Sequence, residues 1–141
     1  MKQKSTLTKR FHFNGAHKMY NDALSAKNNA QLFGLCQNIH GHNYTLDVSV
    51  DGTINSKTQC IVNLEMLKNI VNKEIILVLD HQYLNEVLSK IAKIKGLPIT
   101  LENLSSWIWK VLCKELKKEK INLSNIRLWE SDNLNVAISK K

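Results

Sequence analysis

The chain is short of the residues that mark special architectures. It holds one proline and five glycines in 141 residues, which excludes a collagen-like or low-complexity polymer. Its three cysteines, Cys36, Cys60 and Cys113, are odd in number and include no tight CxxC pair. No disulfide framework is expected from them, and a reducing, cytoplasmic setting is. Aromatic residues make up 6% of the chain and arginine occurs only as Arg10 and Arg127. Without an aromatic-rich basic stripe, no nucleic-acid partner is expected. No apolar run approaches the ~20 residues of a membrane span. The basic start MKQKSTLTKRF lacks the apolar core of a secretory signal, so no membrane partner is expected either.

What is present is ordinary globular composition, 43% hydrophobic and 23% charged. At this length one domain, 1–141, is the simplest organisation. The formal net charge of +8 suits an anionic small substrate, nucleic acid or an anionic surface by sign alone. Part of it sits in KELKKEK, which reads as the solvated side of a helix.

Periodicity gives an α+β order. LTKRFHFNGAH reads as a strand with Phe11, Phe13 and His17 on one face. Lys18 to Leu35 has no clear period and reads as a long loop. In IHGHNYTLDVSVDG the alternation puts His40, His42, Tyr44, Leu46, Val48 and Val50 on one side, and Asp51-Gly52 signals a turn. A helix follows Asn63 as N-cap, with Leu64, Leu67, Val71, Ile75 and Val78 as its stripe. A second runs from about Thr100, a candidate cap, to Lys118, with Leu101, Leu104, Ile108, Val111, Leu112 and Leu116 inward. NIRLWE and NVAIS read as a closing hairpin. The sum is β, β, α, α, β, β with an antiparallel sheet.

The chemistry concentrates in CQNIHGHNY, which holds two of the five histidines. Side chains at i and i+2 of a strand project the same way, so His40 and His42 can converge on one ion, and Gly41 leaves room beside them. His17, from the other strand, can add a third nitrogen, whereas His12 has the opposite parity. Three neutral imidazoles suit Zn²⁺ and leave one coordination position open, as catalytic zinc requires. The plainer alternative is a set of polar strand residues bound to water. Asp80-His81, after an apolar helix end, can form a carboxylate–imidazole pair that fixes the ring's tautomer, or be a polar helix terminus. Glu130 shares parity with Ile126 and Leu128, so it can point inward, where a carboxylate needs a donor, or lie at the sheet edge. Cys36 can be a thiolate base or nucleophile beside zinc, or a fourth ligand that closes a structural site. Cys60 and Cys113, within apolar patterns, are expected in the core.

FHFNGAHKM, LSAKNNAQLFGLCQNIHGHNY, IVNLEMLK, LDHQYLN, PITLENLSSWIW and WESDN together resemble the 6-pyruvoyltetrahydropterin synthase family, which includes the 6-carboxytetrahydropterin synthases. They occur in family order and cover nearly the whole chain. The resemblance implies a tunnelling fold (T-fold), a four-stranded antiparallel sheet backed by two helices. It further implies barrels of three subunits stacked as a homohexamer, a dimer of trimers with active sites between subunits. His17, His40 and His42 resemble the zinc ligands, Cys36 the catalytic cysteine, and Asp80 and His81 the proton-relay pair. Glu130 resembles the pterin anchor, Thr100 falls in the segment lining the pterin pocket, and Glu102 either reaches that pocket or is a first-turn helix residue favoured by the dipole. Leu101 stands where relatives often carry a second small hydroxyl residue. The implied substrate is 7,8-dihydroneopterin triphosphate and the implied product 6-pyruvoyl-tetrahydropterin with loss of triphosphate. The short Cys-x-x-x-His-Gly-His spacing instead resembles the 6-carboxy enzymes, which release acetaldehyde as well. The alternative outside this class is a zinc-stabilised binding module without activity.

Overall fold

The computed structural model describes residues 3–92 and 94–141; Met1, Lys2 and Lys93, part of the expected 1–141 domain, lie outside the described residues. Its strands are β1 (Lys4–His17), β2 (His40–Thr53), β3 (Gln82–Tyr83), β4 (Asn122–Ser131) and β5 (Leu134–Ser139). The helices are α1 (Ala26–Phe33), α2 (Leu64–Val71), α3 (Leu77–Leu79), α4 (Leu84–Ile91) and α5 (Leu101–Lys118). The sheet order is β3-β1-β2-β4-β5. Four strands are antiparallel neighbours, as expected, and the two-residue β3 adds a short parallel edge beside β1.

β1 and β2 pair without a slip from Lys4↔Thr53 to His17↔His40. The period-2 pattern therefore holds along the whole ladder: Phe11, Phe13, His17, Tyr44, Leu46, Val48 and Val50 are all buried on one face. Asp51-Gly52 is not a turn. It continues β2 opposite Thr6 and Ser5, because the chain after β2 folds back onto Gly52, where a Cβ would stand 2.8 Å from the carbonyl oxygen of Ile61. The close approach, not a turn, is what requires glycine there.

Asn63 caps α2 by accepting from the Met66 N–H at 3.1 Å. The helix then runs through a π turn, Asn72–Ile76, into α3, with the Leu77 N–H donating to the Asn72 carbonyl. The wider turn rotates the apolar stripe. Leu67, Val71, Ile75 and Leu79 are fully buried, while Leu64 is exposed and Val78 only half-buried. Fourfold spacing fits a helix that is locally underwound. In α5 the expected stripe holds at Leu101, Leu104, Ile108, Leu112 and Leu116, with Val111 at its margin. Both helices cover the same sheet face, and their buried side chains join the inward strand residues in one core. KELKKEK lies mostly in solvent at the end of α5.

Two further helices depart from the expectation. α1 falls within the segment expected to be a loop, started by Ser25, whose hydroxyl accepts from the Asn28 N–H. α4 places Leu84 and Leu88 in the core. Cys60 is also a correction: it is exposed, in the turns after β2, where Asn55 accepts from the Lys57 and Thr58 N–H groups and holds the loop at the surface. Cys113 is half-buried against the core.

Candidate active site

β1 ends and β2 begins at one corner of the sheet, and their register places His17 directly across from His40. His42 follows two residues along β2 on the same face. The ring centroids lie 4.5 Å (His17–His40), 5.1 Å (His17–His42) and 5.0 Å (His40–His42) apart. One nitrogen from each ring lies within 4.8 Å of the others. Tyr44 forms the floor, edge-on to His17 and His42 and stacked on Phe13. Burial pushes its hydroxyl pKa up, so it stays protonated. Gly41 faces the other way: a Cβ there would stand 3.3 Å from the Gly15 carbonyl oxygen. Its lack of a side chain lets the strands close up.

Two main-chain carbonyls fix the rings. His17 Nδ1 lies 2.7 Å from the Ile99 carbonyl and His40 Nδ1 lies 2.7 Å from the Asn38 carbonyl. A carbonyl only accepts, so Nδ1 carries the proton in both rings and the lone pair is on Nε2. His17 Nε2 and His42 Nε2 are buried without a hydrogen-bond partner. Desolvation lowers the His17 pKa to about 4 and also lowers that of His42, against the opposing pull of Glu130. Neutral rings with orphaned, converging lone pairs are the state a divalent ion needs. The residues present therefore fit a bound metal.

Glu130 comes from β4 at the register shift between Trp129 and Ser131 and is half-buried, unlike Ile126 and Leu128. Its Oε2 lies 4.0 Å from His42 Nε2, beyond hydrogen-bond range, so neither satisfies the other. A depression of about 600 Å³ has His42, Glu130 and Asp132 among its walls. Another of about 590 Å³ is bounded by His42, Asn14 and His81. Gly41, His42 and Asn43 form the wall they share.

Asp80 and His81 follow α3. Asp80 Oδ2 lies 2.9 Å from His81 Nδ1, while Oδ1 accepts from the Asn14 N–H at 2.8 Å. That backbone bond, ahead of His81 itself, holds the Asp80 pKa below the usual carboxylate range. His81 has φ 59°, a left-handed conformation that costs a non-glycine residue roughly 1–2 kcal/mol. Its N–H donates to the Asn14 carbonyl at 2.7 Å, which offsets the strain. The pair is thus anchored on β1.

Cys36 is exposed in the 3-10 turn Gly34–Gln37, and its carbonyl accepts from the Met19 N–H at 2.8 Å. Among the described residues the metal-competent cluster contains three histidines and not Cys36, so the chain presents an open cradle rather than a closed Cys-His₃ site. Thr100 caps α5, accepting from the Asn103 N–H at 3.1 Å, one residue beyond the carbonyl that orients His17. Glu102 is exposed on the first turn of α5, and neither it, Thr100 nor Cys36 lines the two depressions. Sequence reasoning missed the Ile99 and Asn38 carbonyls. Main-chain acceptors leave no side-chain signature.

An α+β fold that gathers three histidines able to hold a metal ion at one corner of its sheet defines the class. The 6-pyruvoyl tetrahydropterin synthase family model matches residues 6–141, and the chain belongs to that family. A 6-pyruvoyl tetrahydrobiopterin synthase of Dictyostelium discoideum is 35% identical over 127 residues, covering 90% of each chain. The Homo sapiens protein of that name is 34% identical over 136 residues, covering 95% of this chain and 90% of its own. A 6-carboxy-5,6,7,8-tetrahydropterin synthase of Haemophilus influenzae is 34% identical over 115 residues, 70% of this chain and 79% of its own. The fold matches the solved structure of Caenorhabditis elegans 6-pyruvoyl tetrahydropterin synthase with TM-score 0.88 and 22% identity, covering 99% of this chain and 98% of that one.

Proposed function

We propose that this chain converts 7,8-dihydroneopterin triphosphate into 6-pyruvoyl-tetrahydropterin and triphosphate, with Zn²⁺ held by His17, His40 and His42. The observation that carries the reading is the pair of buried imidazole nitrogens without partners, His17 Nε2 and His42 Nε2, with Glu130 4.0 Å from the second. When bound, zinc would supply Lewis acidity toward the hydroxyls of the substrate side chain, lowering the pKa of the adjacent C–H groups.

The protein's own groups do the rest. The Glu130 carboxylate accepts hydrogen bonds from the 2-amino and ring N–H groups of the pterin, which fixes the ring and leaves the side chain directed at the histidines. His81, held through Nδ1 by Asp80, offers Nε2 to take up or return a proton. Cys36, in the turn tied to Met19, is the second proton-transfer group. Thr100 retains its hydroxyl hydrogen after capping α5 and can donate it to the pterin; Glu102 completes the same rim. Removal of a side-chain proton and its return elsewhere moves electrons into the ring, and triphosphate leaves by elimination. The ring gains the two electrons that the side-chain carbinol next to it loses in becoming a carbonyl, so no external reductant is needed.

A homohexamer, a dimer of trimers with intersubunit sites, completes the reading. An open sheet leaves edges that closure into a barrel removes, and the exposed Leu32, Leu35 and Ile39 near Cys36 suit a neighbouring subunit. No helix of the described residues is long and apolar enough to cross a membrane, and three free thiols suit the cytoplasm.

A specific observation keeps a second reading. His40 follows Cys36 by only four positions, and the Haemophilus influenzae relative named for the 6-carboxy product aligns with the chain. A base displaced relative to the side-chain carbons favours carbon–carbon cleavage with uptake of one water, giving 6-carboxy-tetrahydropterin, acetaldehyde and triphosphate. Incubation of the zinc-loaded protein with 7,8-dihydroneopterin triphosphate, followed by mass spectrometry, decides. The 6-pyruvoyl mass without acetaldehyde supports the first reading, the 6-carboxy mass with acetaldehyde replaces it by the second, and untouched substrate removes both.

A further inference from the structure

Asn85 stands at the second residue of α4 and has no part in the roles given above. Its side-chain amide grips one residue from both sides. Oδ1 accepts from the Lys18 N–H at 2.9 Å, and Nδ2 donates to the Lys18 carbonyl at 3.0 Å. That is the pattern one strand residue makes with another, drawn here from a side chain.

Its context explains why. Residues 80 to 85 brace the end of β1 step by step. Asn14 bonds to the Asp80 carboxylate and to the His81 N–H. Gly15 and Ala16 pair with Gln82 and Tyr83. Leu84, fully buried, packs where a Cβ on Gly15 would stand 3.0 Å away. At Leu84 the backbone turns into α4 and its main chain no longer follows the strand. The Asn85 amide takes over and carries the ladder to Lys18. The two peptide units it fixes join Lys18 to His17 on one side and to Met19 on the other. His17 belongs to the metal cradle, and the Met19 N–H holds the Cys36 carbonyl.

We propose that Asn85 is a positioning residue that sets the distance between the histidine cradle and the Cys36 turn. It touches neither metal nor substrate; it acts through the Lys18 peptides. The inference rests on the reading above in one respect, that His17 and Cys36 serve one centre.

The test uses the full chain and reads binding, not turnover. Zinc affinity is measured by competition against a chromogenic chelator, and Cys36 alkylation by iodoacetamide is followed at its own peptide by mass spectrometry, with Cys60 as internal reference. Asn85→Ala should weaken zinc about tenfold, the low end for a group that orients metal ligands, and change the Cys36 rate severalfold relative to Cys60. Asn85→Asp keeps the acceptor but loses the donor, and should fall between. Asn63→Ala removes the cap of α2, beside Asp51 at the other end of β2 from His40. It should lower stability while leaving both readings at the wild-type value. Zinc affinity within twofold of wild type in Asn85→Ala overturns the proposal, as does an equal loss in Asn63→Ala. If Asn85→Ala does not fold, Asn85→Asp decides by the same measure. A wild-type chain that binds no zinc overturns it too. A chain that binds zinc as stated but leaves 7,8-dihydroneopterin triphosphate untouched sinks the proposed activity and leaves the positioning role standing.

Discussion

The β1–β2 ladder is one continuous structure with two different ends. Toward the Lys4 end the outward polar groups answer one another across the strands. Thr6 donates to Asp51 at 2.7 Å, Thr8 and Ser49 share a hydrogen bond at 2.7 Å, and Arg10 forks onto Asp47 at 2.8 and 3.0 Å. Toward the His17 end the inward polar groups do not answer one another. His17 Nε2, His42 Nε2 and the Tyr44 hydroxyl are buried and unpaired. A buried polar atom without a partner costs about 1–3 kcal/mol, so a fold that collects three of them at one corner is unfinished there without something else. The paired end holds the strands in register, and the unpaired end uses that register to bring three imidazole nitrogens within 4.8 Å of one another.

The sharpest way to break this contrast is at the unpaired end. His42→Ala should abolish stoichiometric zinc, a loss larger than the roughly 10–100-fold that changes behind a ligand set produce. Its circular dichroism should match wild type, since Leu46, Val48 and Val50 still hold β2 in the core. Stripping zinc from the wild-type protein with a chelator should likewise leave secondary structure in place. Collapse on chelation would make the cradle structural and favour the non-enzymatic binding module. Next in size, Cys36→Ala should keep zinc and lose turnover by about 10²–10⁴-fold, the usual contribution of a proton-transfer group. Metal loss in that variant would make Cys36 a ligand, against the open cradle. Smaller again, Glu130→Gln should weaken pterin binding by roughly 1.5–3 kcal/mol in a fluorescence titration, the size of a hydrogen bond to a charged group. Unchanged affinity would remove Glu130 from the site.

The same contrast explains what was legible in the sequence. Parity along two regular strands is a strong signal, so the inward set from Phe11 to His17 and from His40 to Val50 could be read before any coordinates. Thr100 and Asn63 were legible because a hydroxyl or amide before an apolar stripe is a local device. α1 was not. It is eight residues of nearly neutral hydropathy, and its one fully buried residue is Asn29. Asn29 is buried because its amide is consumed by Asn21, Leu24 and Ser25, an inversion no apolar stripe can report. α4 is too short for periodicity to separate it from the motif LDHQYLN that precedes it. The π turn shifted burial from Val78 to Leu79, a change invisible to a 3.6-residue template. At the site, the three rings were legible as side chains, whereas the carbonyls that fix their tautomers depend on where α5 and the Asn38 bend come to rest.

The smallest expected effect comes from the paired end, and it is the control for all the others. Arg10 holds Asp47 chiefly by its hydrogen bonds, which lowers the Asp47 pKa from the usual carboxylate value. A carboxylate bound more tightly as the anion in the folded state contributes stability above its unfolded pKa and loses it as pH falls through the lower, folded one. Wild-type urea midpoints should therefore decline below about pH 4 partly through this group. Asp47→Asn should be slightly less stable than wild type at pH 7, and the gap should narrow as pH falls through the lowered Asp47 pKa. Because Arg10 is largely in solvent, the difference is expected to be small and to shrink further in salt. Zinc affinity at pH 7 should not change. A loss of zinc in Asp47→Asn comparable to that in His42→Ala would mean that the two ends of the ladder are not independent, and that the cradle depends on the cross-strand pairs as much as on its own unpaired nitrogens.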